Sequence, residues 1–364
     1  MNKEIISDKQ ATILIITYLI GITTIMVSAK DAKQDFWLAI ILALFAALIF
    51  ILICARLHVL FPGKDLFDIL QICFGRFVGK GLGIMFIGHV FLNAAASISN
   101  VGQFITSVSL ERTPVSIVFI FMIILCIGSI KAGLEVISRA SEIFFFIFIV
   151  LIGMTTILLI PEMDIHRIQP VLSNGIGPVL KGAFGMFVFP LSSTIVFTAI
   201  YTKFERKHSP YYVYTKGLLA ATAIIAIISL TDVLVLGVNS VGSLYFPSYA
   251  ATARINIGNI LQRMEVLAGI VFILGSFVRI SIMLLSVCRG IAKIFEYTNY
   301  RFVVTPTLLL QLNLSYLIFG SIMESYELQK IWPLYTLPFY VILPIMVWIA
   351  AEIKNRGEKN EIEA

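Results

Sequence analysis

Apolar residues fall in ten long runs, at about 10–29, 36–55, 80–108, 114–130, 140–160, 178–202, 212–237, 264–290, 303–322 and 333–352. Each has a length in or above the ~17–25 residues at which an α-helix crosses the hydrocarbon of a bilayer. The pattern predicts an all-α integral membrane protein with about ten transmembrane helices. Turn formers such as Pro62-Gly63, Pro161, Pro170 and Pro210 mark the connections. The run at 80–108 is long enough to require tilt or a protruding end. Ten crossings nearly exhaust the 364 residues, so the chain reads as a single polytopic membrane domain over 1–364.

The first and sixth runs are interrupted near their middles. Gly21, Ile22 and Thr23-Thr24 interrupt the first; Gly182, Gly185 and Phe189-Pro190-Leu191-Ser192-Ser193-Thr194 interrupt the sixth. Proline removes a backbone donor, glycine eases unwinding, and hydroxyls satisfy the freed backbone groups. These runs are also the first members of two five-helix halves, about 10–160 and 178–352. Five is odd, so the second half crosses with opposite polarity, the pointer to inverted repeats with broken helices around a central site. The plainer alternative makes Gly21 a packing glycine and Pro190 a simple kink.

Composition removes other classes. At 59% hydrophobic and 13% charged, the chain lies far from the roughly 45–50% apolar and 25% charged usage of soluble domains. The net charge of +6 is spread over short connections, which argues for topology rather than nucleic acid. With the N-terminus cytoplasmic, the inside segments hold 18 Lys and Arg against 7 outside, so both termini are expected on the cytoplasmic face. Val27-Ser28-Ala29 after a basic start imitates a signal-peptide cleavage site, but the apolar run before it is longer than such a peptide carries.

With Lys80, Lys216 and Arg289 at the run ends counted with the inside connections, Lys181 and Arg279 are the two Lys or Arg residues left within the runs. Arg279 lies 15 residues into the eighth run, in the inner half of the membrane, where a charge needs a partner or a wet cavity. It reads either as a snorkelling side chain or as a fixed cation in place of a bound sodium, one that donates to carbonyls freed near Gly21, Ile22 and Thr23. Asp232 and Lys181 read as interfacial. His89, Asn93, Ser97 and Asn100 share a face of the third run at three- and four-residue spacing, which reads equally as inter-helix contacts or as pocket lining, with Asn93 and Ser97 favoured for a pocket as nearest mid-span. Gln311 and Asn313 read as packing contacts. The candidate ligand-binding set is therefore Gly21, Ile22, Thr23, Asn93, Ser97, Pro190, Ser192, Ser193 and Ser276. Half-helix ends there suit a small zwitterion, with helix N-termini facing its carboxylate. No H-E-x-x-H, G-x-S-x-G, P-loop or dinucleotide fingerprint occurs, and Cys54, Cys73, Cys126 and Cys288 form no metal or disulfide pattern. The expectation is no enzyme, no cofactor and no metal.

Several stretches resemble the spore germination permease family, the B subunits of bacterial spore germinant receptors within the amino acid/polyamine/organocation (APC) transporter superfamily. They are Ile6-Ser7-Asp8-Lys9-Gln10, Ala32-Lys33-Gln34-Asp35-Phe36-Trp37 and Gly133-Leu134-Glu135-Val136-Ile137-Ser138-Arg139. A longer series runs from Thr231-Asp232-Val233-Leu234 through Tyr245-Phe246-Pro247, Arg254-Ile255-Asn256-Ile257-Gly258 and Gln262-Arg263-Met264-Glu265 to Gly275-Ser276-Phe277-Val278-Arg279-Ile280-Ser281.

The resemblance implies a LeuT/APC-like fold, residence in the endospore inner membrane, and recognition of a small germinant such as an amino acid. It also implies a complex with a membrane A subunit and a lipoprotein C subunit. Two departures stand out: Ser192-Ser193 fills the place of a Gly-Glu pair, and arginine at 279 replaces the more usual lysine. Three functions remain open at this point: a nutrient-sensing receptor subunit, an amino-acid permease, and a channel or water conduit within a larger assembly. The scarcity of membrane-buried acids leans toward sensing, because coupled transport needs a titratable carboxylate or a sodium site.

Overall fold

The computed structural model of the chain describes residues 6–25, 29–255 and 263–363, and the described part of every apolar run is largely helical. The helices are α1 (Asp8–Thr23), α2 (Phe36–Leu60), α3 (Leu66–Val108), α4 (Val115–Ala132), α5 (Leu134–Leu159), α6 (Ile176–Val188) and α7 (Ser209–Leu236). The short α8 (Val238–Ser243) and α9 (Pro247–Thr252) follow, then α10 (Glu265–Ile294), α11 (Arg301–Leu317), α12 (Ile322–Leu337) and α13 (Leu343–Glu363). Among the described residues, eight helical segments are long and apolar enough to cross a membrane. The other two of the ten runs are α1 and α11, which stop at 16 and 17 residues.

α1 and α10 form the centre, packed along each other, with α5 and α7 against α1 and with α3 and α5 against α10. α1 is apolar all round and almost wholly buried, as a central helix must be. Its start is set by a capping box: Ser7 Oγ accepts from the Gln10 amide and Gln10 Oε1 accepts from the Ser7 amide, both at 3.2 Å. Outer helices turn large apolar side chains away from the protein, among them Phe121 of α4 and Ile143 and Phe146 of α5. Such a surface fits lipid.

Gly21 and Gly275 let the two central helices touch. A Cβ on Gly21 would lie 2.3 Å from the Gly275 carbonyl oxygen, and one on Gly275 would lie 2.6 Å from Gly21 Cα. This close approach keeps α1 regular through Gly21 and Ile22, and the helix ends at Thr23 with Thr24 as its cap, at the far end of the Gly21–Thr24 stretch marked by the sequence. The sixth run breaks where expected: α6 ends at Val188, Phe189 is extended, and the chain resumes as a 3₁₀ helix, Leu191–Ala199.

The long third run also departs from a simple span. Gly75, at φ +79°, separates Leu66–Phe74 from the membrane stretch of α3. α8 and α9 have no counterpart in the sequence pattern, because six-residue helices carry too little periodicity to detect. A π-helical turn, Pro338–Ile342, joins α12 to α13.

Candidate functional site

α1 and the sixth-run helix stop at a common place, and a cavity of about 160 Å³ opens there toward the end of the bundle opposite the N-terminus. Its size is comparable to the ~150 Å³ of an engineered cavity that admits benzene. The last turns of α1 (Ile22, Thr23) and α6 (Gly185, Met186), with Phe189 and Pro190 at the break, make one wall. α3 supplies Asn93, Ala96, Ser97 and Asn100, and α12 supplies Ser325, Gln329, Trp332 and Pro333. Ala29, Lys30, Asp31 and Phe319 line the mouth.

Polar side chains fix the α3–α12 wall. Trp332 Nε1 donates to Asn93 Oδ1 at 3.1 Å, Asn93 Nδ2 meets His89 Nε2 at 3.0 Å, and Ser325 Oγ donates to Asn100 Oδ1 at 2.7 Å. His89 is stacked on Phe339 at 4.4 Å, which locks it into the π-helical turn rather than the cavity. Asn100 keeps its amide donor, and Gln329 its whole carboxamide, for the cavity. At the mouth the Lys30 ammonium sits 4.0 Å above the Tyr326 ring and Asp31 pairs with Lys181 at 3.2 Å.

Both long helices present their C-terminal ends to this space. Carbonyl oxygens unpaired in a last turn carry the negative end of the helix dipole and favour a cationic group. The sequence reading placed helix N-termini toward a carboxylate; the long helix ends found here suit an ammonium instead.

Of the sequence candidates, Ile22, Thr23, Asn93, Ser97 and Pro190 line the cavity, and Gly21, Ser192, Ser193, Ser276 and Arg279 do not. Gly21 is spent on the contact with Gly275, and its carbonyl accepts from Ser276 Oγ at 3.0 Å. Ser192 Oγ donates to the Val188 carbonyl at 2.6 Å and Ser193 Oγ to the Pro190 carbonyl at 2.5 Å, so both close the break on itself. Ser192→Ala and Ser193→Ala should each lower stability by about 1 kcal/mol without moving the ligand concentration at half-maximal binding. Thermal melts and binding isotherms of the purified variants check this.

Arg279 is 0% exposed, which leaves no room for a snorkelling head. Its guanidinium lies 4.5 Å from the Tyr18 ring and 5.1 Å from the Phe189 ring, and Nη1 donates to the Tyr18 carbonyl at 3.4 Å rather than to Gly21, Ile22 or Thr23. Nε and Nη2 have no hydrogen-bond partner among the described residues. Asp232, near the end of α7, is 3% exposed and enclosed by protein. Gln311 donates to the Phe91 carbonyl across α3 and α11, a packing contact, while Asn313 turns back onto its own helix.

A helical membrane bundle whose first and sixth-run helices end at a shared pocket has the build of a solute transporter. Solved structures agree on the fold. Mhp1, a nucleobase-cation-symport-1 family transporter in a closed conformation with bromovinylhydantoin bound, superposes with a TM-score of 0.71 over 92% of this chain and 77% of its own, at 11% identity. A manganese transporter of Eremococcus coleocola gives 0.64 over 95% and 84%, at 14% identity.

Sequence gives the family. The profile described as Spore germination protein matches residues 5–325, and the chain belongs to that family of membrane proteins, which are not enzymes. Spore germination protein KB of Bacillus subtilis (strain 168) is 26% identical, covering 100% of this chain and 99% of its own. Spore germination protein XB of Bacillus anthracis is 21% identical over 69% and 70%.

Proposed function

We propose that the chain is the germinant-sensing subunit of a spore germination receptor, binding a small zwitterion such as an amino acid in the cavity between α1, α3, α6 and α12. The observation that carries this reading is the pairing of opposite polarities in one small space. Carbonyl ends of α1 and α6 suit an ammonium, while Lys30, the Asn100 amide and Gln329 suit a carboxylate. The proposed ligand-lining set keeps Ile22, Thr23, Asn93, Ser97 and Pro190 and adds Gly185, Asn100, Gln329 and Trp332.

In this reading the halves 10–160 and 178–352 form one membrane unit, and ligand shifts it between two conformations that a membrane A subunit and a lipoprotein C subunit detect. It resides in the endospore inner membrane with both termini on the core side. An amino-acid permease is the second reading, favoured by the transporter fold itself. The test is equilibrium binding of a panel of radiolabelled amino acids to the purified chain in nanodiscs. Saturable, competable binding of at least one small member is expected; absence of binding across the panel by folded protein would sink the proposal.

A further inference from the structure

Two outward-facing apolar stripes end in arginine at one recess. On α2, Phe45, Ile49 and Leu52 are exposed at four- and three-residue spacing, and Arg56 is the next position of that face. On α13, Met346, Ile349 and Ile353 are exposed at three- and four-residue spacing, and Arg356 follows three residues on. Apolar side chains so placed face acyl chains, and each stripe turns basic at the end of the bundle that carries both termini. After Ile353 the sequence passes into Lys354-Asn355-Arg356-Gly357-Glu358-Lys359, the change of composition expected where a helix leaves the hydrocarbon.

α2 and α13 pack against each other, and beside them lies an open recess of about 490 Å³ lined by Arg56, Trp348, Ile349, Glu352, Ile353 and Arg356. Arg56 Nε donates to Glu352 Oε1 at 2.7 Å and Nη2 to Oε2 at 3.4 Å, so the carboxylate fixes that guanidinium in the wall. Arg356, one turn beyond Glu352, brings a second guanidinium, and the lining carries one positive charge more than Glu352 balances. Trp348 adds the amphipathic ring that sits at the level of lipid headgroups. A guest that matches all of this is anionic at its polar end and apolar along its length. Guanidinium groups take phosphate through paired hydrogen bonds.

We propose that the recess binds an anionic phospholipid, its phosphate on Arg56 and Arg356 and its acyl chains along the stripes of α2 and α13. Basic recesses between membrane helices at a bilayer surface select such headgroups. The π-helical turn joins α13 to α12, a wall of the ligand cavity, so the lipid links α2 to the element that carries that wall. The site does not depend on which ligand the cavity takes.

Native mass spectrometry of the full chain in detergent, titrated with phosphatidylglycerol or phosphatidylcholine of identical acyl chains, tests the proposal. Wild type should retain phosphatidylglycerol in preference to phosphatidylcholine. Arg56→Gln and Arg356→Gln should each lower that preference by about fivefold, the loss of one basic contact at a membrane surface. Arg356 stands outside the Arg56–Glu352 ion pair, so its variant is informative even if Arg56→Gln does not fold. Arg76→Gln, which removes a cation paired with Glu296 at the same end of the bundle, should leave the preference unchanged. Glycerol phosphate, a headgroup without chains, should not displace the lipid at equal concentration. Equal retention of both lipids, an equal loss in Arg76→Gln and Arg356→Gln, or displacement by glycerol phosphate would overturn the site.

Discussion

Arg279→Met is expected to yield a folded protein at least as stable as the parent that no longer responds to germinant. Burying a guanidinium costs several kcal/mol after relaxation. What returns is two ring contacts of at most about 2 kcal/mol each and one long hydrogen bond to a carbonyl that already lies within α1. With no anionic partner and two donor nitrogens unmatched among the described residues, the balance is unfavourable, and methionine fills a similar volume without it. The expected gain is up to about 4 kcal/mol, the range seen when buried ions give way to apolar side chains.

A charge kept at such cost serves function. The guanidinium touches Tyr18 of α1 and Phe189 at the break of the sixth run, and Phe189 lines the ligand cavity. It thus joins α10 to both interrupted elements. Arg279→Lys should retain part of the response, since a point charge remains but the planar stacking surface is lost. Melting of purified protein and germination of spores carrying the variant as sole receptor check both arms. A methionine variant that unfolds, or one that responds normally, contradicts the assignment.

Gly185→Leu should weaken ligand binding by about tenfold to hundredfold or more while leaving the fold intact. A Cβ at Gly185 meets nothing within 4 Å, whereas one at Gly182, a turn earlier, would lie 3.0 Å from the Ala29 carbonyl oxygen. A leucine at 185 therefore grows into the cavity, and a ligand must displace it or be overpacked, at about 1–3 kcal/mol. Replacing a glycine in the last turn of α6 favours the helix by less than the ~1 kcal/mol of a helix interior, so melting should hold or rise slightly. Unchanged binding isotherms would place the ligand elsewhere.

Long apolar runs and their punctuation made the membrane bundle legible, because a helix crossing lipid has few alternatives. Pro190 located the second break for the same reason: its missing donor ends α6 whatever surrounds it. Gly21 was ambiguous, since glycine serves an unwound turn and a close helix contact equally, and only the position of Gly275 decides between them. Asn93 and Ser97 were readable from their spacing on one face. Ser192 and Ser193 were not, because a hydroxyl that satisfies its own backbone looks the same in sequence as one that faces a ligand. Gln329 and Trp332 lay ahead of the last apolar run, where nothing in the pattern distinguishes a pocket wall from a connection. The buried position of Asp232 depends on α9 folding back over α7, which six residues could not announce.

The central claim is that a transporter-like chain senses its ligand without accumulating it. Purified protein in liposomes, given the labelled amino acid that binds in nanodiscs together with imposed sodium and proton gradients, measures this directly. The account predicts saturable binding with no concentrative uptake above protein-free liposomes. Gradient-driven accumulation that Gly185→Leu abolishes would contradict it and make the chain a permease.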